Sequence, residues 1–198
     1  MKNIFASLLL AAVSLAAVDT QSSAPGKAVG NPSAPMTIEV FSDYQCPGCK
    51  ALADEVLRPL KTDYVAKGKI YLIHRDFPLQ MHPHARQAAA YANAALRVNK
   101  YEQVSAEIFR QQSVWSANGQ LDAVVAGVLK PDELKKVRAL LTDSKLLAEI
   151  EQDVALGNKH NVRTTPTMIV THKGRQYPVA GVVNYGILSK FLNDLLSK

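Results

Sequence analysis

The sequence reads as an α/β domain interrupted by a block of helices, and three observations predict it. Two short β-branched runs flank a helical pattern; amphipathic helix stripes then follow one another; and the chain closes on two further β runs and a last helix. That order gives a first β-α-β part over 35–78, a helical insertion over 79–160 and a second β-β-α part over 161–198.

Met36-Thr37-Ile38-Glu39-Val40-Phe41 is apolar and β-branched, which marks a buried strand. Lys50 to Ala66 follows as a helix with Leu52, Val56, Leu57, Leu60 and Tyr64 on one face, and Pro59 inside it is expected to kink it. Gly68 ends that segment, and Ile70-Tyr71-Leu72-Ile73-His74 is a second strand stopped by Phe77-Pro78. A strand, helix and strand of these lengths imply a right-handed crossover to a parallel neighbour. In the insertion, Ala85, Ala88, Ala89, Ala92, Ala95 and Leu96 form a helical stripe of small residues, continued by Val104, Ile108 and Phe109 in a second helix. Leu121, Val124, Val125, Val128 and Leu129 mark a third. Pro131 opens a fourth, with Leu134, Val137, Leu140 and Leu141 inward. Asp143 or Ser144 caps a fifth, with Leu147, Ile150 and Val154 inward and Gly157 closing it. These stripes read as core, Trp115 reads as an aromatic core residue, and no cofactor is implied. Thr167 to Thr171 and Gln176 to Ala180 then read as a hairpin about Lys173-Gly174, followed by a helix with Ile187, Leu188, Phe191, Leu192, Leu195 and Leu196 on one side.

Ahead of this domain, Lys2, the apolar stretch Ile4 to Val13 and the small residues Ser14 and Ala16 make residues 1–17 an expected export signal, cleaved after Ala16 or Ala17. The apolar run is too short for a stable membrane span, so no membrane insertion is expected after cleavage; an uncleaved anchor is the other reading. Residues 18–34, rich in Ser, Ala, Gly and Pro, read as a flexible leader. The expected location is the periplasm or another extracytoplasmic, oxidising space. The formal charge of +6 is carried by scattered Lys and Arg with no interleaved aromatics, which argues against nucleic-acid binding.

The only two cysteines of the 198 residues stand in Cys46-Pro47-Gly48-Cys49, between the first strand and the first helix. Unpaired N-H groups and partial positive charge at a helix start favour a thiolate, so Cys46 is the expected nucleophile and Cys49, one turn further in, the resolving thiol. Two other readings of the pair stand beside this one. His82 and His84 could complete a Cys2His2 metal site, or the cysteines could form an inert disulfide, although so small a loop removes little chain entropy.

Three segments in order resemble the DsbA-like thiol-disulfide oxidoreductases, which have a thioredoxin fold with a helical insertion. They are Phe41 to Cys49, Asp76-Phe77-Pro78-Leu79 followed by His82-Pro83 and the alanine stripe, and Thr164-Thr165-Pro166-Thr167 before the hairpin. The resemblance runs from about Pro35 to the C-terminus. It implies catalytic Cys46 and Cys49, a cis Pro166 against the dithiol, and Thr165 offering backbone to an extended substrate segment. Its implied activity is disulfide exchange with reduced or misoxidised polypeptides, most simply as an oxidase recharged by a membrane or soluble redox partner. A reductase or isomerase using the same cysteines, and a non-enzymatic carrier of a soft ion such as Cu(I), are the rivals.

The sequence departs from the resemblance in two places. Thioredoxins and many relatives carry a buried carboxylate where Val40 stands, and the nearest acid, Glu39, should face the other side of its strand. Either Glu39 relays the resolving proton through a bulge or it is solvated, with Asp43 or water moving the proton instead. Gly48 also stands where strong oxidants of the family commonly carry a His. His82, beside Pro83, either tunes the dithiol or caps the alanine helix. His74, His160 and His172 show no partner pattern.

Overall fold

The computed structural model describes residues 26–197; the expected export signal and the first part of the expected leader lie outside them. Five strands form one sheet in the order β1-β3-β2-β4-β5. They are β1 (Ala28–Val29), β2 (Met36–Ser42), β3 (Ile70–Asp76), β4 (Thr167–His172) and β5 (Arg175–Ala180). β2 and β3 are parallel, as a crossover requires, and the other pairs are antiparallel. Lys173 and Gly174 both have positive φ, 49° and 74°, as a two-residue hairpin loop with the strands' own twist demands. Pro178 is tolerated because β5 is an edge strand.

Alternation along β2 sends Met36, Ile38 and Val40 to one face, where Leu52, Val56 and Leu60 of the crossover helix meet Leu188, Leu192 and Leu195 of the last helix. Ile187, expected on that face, is exposed. The crossover helix runs as α1 (Pro47–Ala51), a π-helical stretch Leu52–Leu57, α2 (Arg58–Leu60) and a second π-helical stretch Lys61–Val65. Pro59 lacks the N-H that an α-turn needs, and the chain meets that demand with wider turns on either side.

The insertion comprises α3 (Ala85–Leu96), α4 (Tyr101–Arg110), α5 (Gln112–Trp115), α6 (Leu121–Ala126), α7 (Pro131–Leu140) and α8 (Ser144–Lys159), and α9 (Tyr185–Leu196) closes the chain. Alanines of α3 lie at the centre of the insertion's core with Val104, Ile108, Leu121 and Val137. Trp115 is fully buried there and donates to the Ile108 carbonyl at 2.7 Å. Asp143 caps α8 through the N-H groups of Lys145 and Leu146.

Two expectations are corrected along α8. Its buried residues are Leu146, Ile150, Asp153 and Gly157; Leu147 is exposed, Val154 is half-buried against Phe41 and Phe77, and Asp153 is drawn inward by Lys27 and Arg75. Gly157 does not close the helix, which runs to Lys159 and stops at Asn161 (φ 57°), where the Val162 N-H returns to the Gly157 carbonyl. Glycine is needed at 157 for close approach, since a Cβ there would stand 2.5 Å from the Phe77 ring.

The flexible leader is also corrected in part. Residues 28 and 29 form β1 on β3, and Lys27 is buried at 3% exposure. Its ammonium lies 2.6 Å from Asp76 and 2.5 Å from Asp153, ion pairs that hold this segment to the sheet and to α8.

Candidate active site

β2 ends at Ser42, the chain turns through Asp43 to Gln45, and the crossover helix begins at Pro47. Cys46 is the N-cap residue, extended at φ −76° and ψ 121°, and its carbonyl accepts from the N-H groups of Cys49 and Lys50 at 3.1 and 3.2 Å. Pro47 at the first helical position loses no bond, because its N-H would have been an orphan. The sequence therefore delivers one thiol to the mouth of the helix and the other one turn inside. Cys46 is 8% exposed and Cys49 1%.

The two sulfurs are driven apart chemically. A hydrogen bond from the Cys49 thiol stabilises the Cys46 thiolate; burial opposes it, and the backbone N-H groups of Cys49 and Gly48 assist, so that Cys46 is lowered to about 5. Burial, and then the neighbouring Cys46 sulfur, raise the Cys49 thiol far above its ordinary value.

Across the site the Thr165–Pro166 peptide bond is cis, and the Thr165 carbonyl lies 3.5 Å from Cys46 Sγ. Pro166 packs on the dipeptide: a Cβ added at Gly48 would lie 3.2 Å from Pro166 Cδ and 3.5 Å from Val182. The Thr165 hydroxyl is buried without a hydrogen-bond partner.

The three residues expected to tune the dithiol separate into two groups. Asp43 is buried under the cysteines. Its N-H donates to Cys49 Sγ at 3.3 Å, while its carboxylate accepts from the Gln45 and Leu79 N-H groups and lies 2.8 Å from His82 Nδ1. His82 thus contacts Asp43 and not the sulfurs, and the residue at the N-cap of α3 is His84. Glu39 faces the opposite side of the sheet, where Arg75 Nε and Nη2 hold it at 2.9 and 2.6 Å. No bulge returns it to the dithiol, since β2 pairs in unbroken register with both neighbours. Val40 is buried at the position the resemblance gives to an acid. Among the described residues no three His, Cys, Asp or Glu side chains gather as a metal site, so His82 and His84 do not join the cysteines.

Several residues at the site carry no signal in the sequence. Gln112 of α5 reaches across from the insertion and donates to the carbonyls of Tyr44 and Cys46 at 2.7 and 3.0 Å. Gln45 donates to the Ser116 carbonyl and accepts from the His84 N-H. Tyr44 stacks on His74 at 5.4 Å and bonds Ser105. The insertion thereby clamps the loop that carries Cys46. A lone glutamine standing 68 and 66 positions from its two targets leaves no periodic trace.

A family model described as Thioredoxin matches residues 22–191. The chain is 26% identical over 167 residues to Disulfide bond formation protein D of Bacillus subtilis (strain 168), covering 79% of this chain and 73% of that protein. It is 29% identical over 155 residues to the Na(+)/H(+) antiporter NhaA 1 of Mycolicibacterium gilvum (strain PYR-GCK), covering 75% of this chain but only 24% of that protein. Among solved structures it is similar to alpha-DsbA1 of Wolbachia pipientis, with a TM-score of 0.74 at 21% identity, covering 88% of this chain and 93% of that one. At that identity the likeness is one of fold.

Proposed function

The chain belongs to the thioredoxin family, and on that premise we propose that it is an exported thiol-disulfide oxidoreductase that oxidises reduced, extended polypeptides through Cys46 and Cys49. The observation that carries this reading is the asymmetry of the pair. Cys46 caps the helix within 3.5 Å of the Thr165 carbonyl, and Cys49 is buried behind it.

In the oxidised enzyme a substrate thiolate attacks Cys46 Sγ. A substrate-Cys46 disulfide forms, the Cys46–Cys49 bond breaks, and its electron pair stays on Cys49. A second substrate thiolate then attacks the substrate sulfur of the mixed disulfide and releases Cys46 as a thiolate. The substrate loses two electrons and the enzyme gains them, so a membrane or soluble oxidant must remove them before the next cycle.

The direction follows from the thiolate. Only the reduced enzyme carries it, so whatever stabilises it pulls the exchange toward reduced enzyme and oxidised substrate. A value of about 5 for Cys46 lies between thioredoxin at about 7 and the oxidase DsbA at about 3.5. The name of the Bacillus relative, a disulfide bond formation protein, supports the same direction. Thr165 and Pro166 supply the edge against which an extended substrate lies, and an oxidising compartment beyond the export signal suits the chemistry.

Equilibration with glutathione tests the direction. Thioredoxin and DsbA lie at about −270 and −120 mV, a span of roughly 7 kcal/mol for two electrons. The expected potential is nearer the second; a value at thioredoxin's would replace the oxidase with a reductase or isomerase.

A further inference from the structure

Four segments meet the loop that carries Cys46, residues 43–50. Leu79 and His82 of 77–84 bind the Asp43 carboxylate, while Gln112 of 111–118 donates to the Cys46 carbonyl and Ser116 accepts from Gln45. The Thr165 carbonyl of 158–166 lies 3.5 Å from Cys46 Sγ, and Gly181 of 181–184 donates to the Pro166 carbonyl at 2.8 Å. The surface that these stretches make around Cys46 is uneven in charge.

Together they contain a single acid, Asp43, and its side chain is buried. Lys50 is paired with Asp54 on its own helix. Lys159 and Arg163 are exposed, and among the described residues neither stands within ion-pair distance of a carboxylate. Six of the eight arginines in the chain do hold one, so an open guanidinium two residues from Thr165 is out of pattern. Exposed apolar side chains gather on the same surface: Met81, Val114 and Val182 each lie on one of these segments.

We propose that Arg163 is a specificity-determining residue that selects polypeptide segments carrying an acidic side chain beside the reacting cysteine; this rests on the disulfide-exchange reading of the site. A segment lying along Thr165 passes Arg163 two residues away, with Lys159 beyond it at the end of α8. Apolar neighbours of the substrate cysteine rest on Met81, Val114 and Val182, which serve one polypeptide much like another. The guanidinium adds choice, because it attracts Asp or Glu, can bind either carboxylate through two parallel hydrogen bonds, and repels Lys or Arg. Standing at the exposed rim, it acts on the rate of encounter, and salt weakens it.

Two reduced peptides that share one sequence with two cysteines, and differ only in bearing Glu or Lys beside each, test this choice. Each is mixed at low salt with oxidised wild type, Arg163→Glu or Arg175→Glu, quenched in acid and counted for free thiols. Thermal transitions establish that each variant is folded. Arg175, the other arginine without a carboxylate, stands opposite His172 at the end of the β4-β5 ladder away from Thr167, so its variant changes the net charge equally but far from the site. Wild type should oxidise the Glu peptide about fivefold faster than the Lys peptide, and the gap should close to within about twofold at about 0.5 M salt. Arg163→Glu should abolish or reverse the preference, an outcome that a merely structural loss would not give, and Arg175→Glu should keep it. Equal rates with wild type, a preference that survives Arg163→Glu, or the same change in Arg175→Glu would overturn the assignment. A wild type that the neutral dithiol dithiothreitol cannot reduce would instead remove the exchange reading itself.

Discussion

At Cys46 opposing influences act on one sulfur. The thiol of Cys49 and the first N-H groups of the helix favour the anion, burial disfavours it, and the anion wins. The same burial on Cys49, with no helix mouth to offset it, keeps that thiol protonated. The opposite ionisation of two identical side chains thus comes from one turn of helix. Cys46→Ser is expected to abolish exchange with a reduced peptide, whereas Cys49→Ser should accumulate mixed disulfides visible on a non-reducing gel. Retained disulfide transfer by both variants would contradict these roles. The placement of the two cysteines, one at the mouth of the helix and one a turn inside, was legible in the sequence because it depends only on their spacing and on the strand-to-helix change around them. The face of Glu39 was legible too, since strand alternation turns it away from the dithiol, but its partner was not: it is neither relay nor solvated, and pairs with Arg75. Asp43 and His82 were named without their geometry, because a side chain's partner across the fold has no local signature.

At the scale of elements, the sheet and its two helical covers follow from period-two and period-3.6 patterns. The errors lie where tertiary demands override them. Helix α8 turns Asp153 inward and Leu147 outward, against the hydrophobic count, because Lys27 and Arg75 compensate the carboxylate. Gly157 looked like a stop signal, yet it marks a helix pressed against aromatic rings: a Cβ there would stand 2.5 Å from Phe77 and 3.0 Å from Phe41. Gly157→Ala sets about 1 kcal/mol of gained helix propensity against overpacking of about 1–3 kcal/mol. Because two rings must shift at once, the clash should win, giving a net loss of about 1–2 kcal/mol in urea unfolding. A more stable Ala variant would show that the rings yield freely.

Across the whole molecule, a buried charge cluster joins segments that the sequence keeps far apart. Lys27 before β1, Glu39 of β2, Arg75 and Asp76 of β3 and Asp153 of α8 interlock, and Asn93 of α3 donates to Asp76 at 2.9 Å. Burial alone would raise the Asp76 carboxyl, but Lys27 and His74 hold it well below the usual carboxylate range. For Lys27 the two acids likewise outweigh desolvation and raise it. The segment before β2 read as a leader because a two-residue strand carries no periodicity, and an ion pair spanning 126 positions none either. Lys27→Met leaves Asp76 and Asp153 buried with less compensation, and the expected loss of stability is about 3–5 kcal/mol at neutral pH. An unchanged thermal midpoint would mean that this segment is only a tether. The same long-range logic holds the active-site loop, which Gln112 and Ser116 grip from the insertion.

All of this chemistry depends on a sulfur anion being stable where the crossover helix begins. Ultraviolet absorbance of the thiolate, followed through an acid-to-neutral titration of the reduced protein with Cys46→Ser as the blank, measures it directly. The predicted midpoint lies at about pH 5, with the anion fully formed at neutral pH. A midpoint at about 8.5, that of a free cysteine, would contradict it.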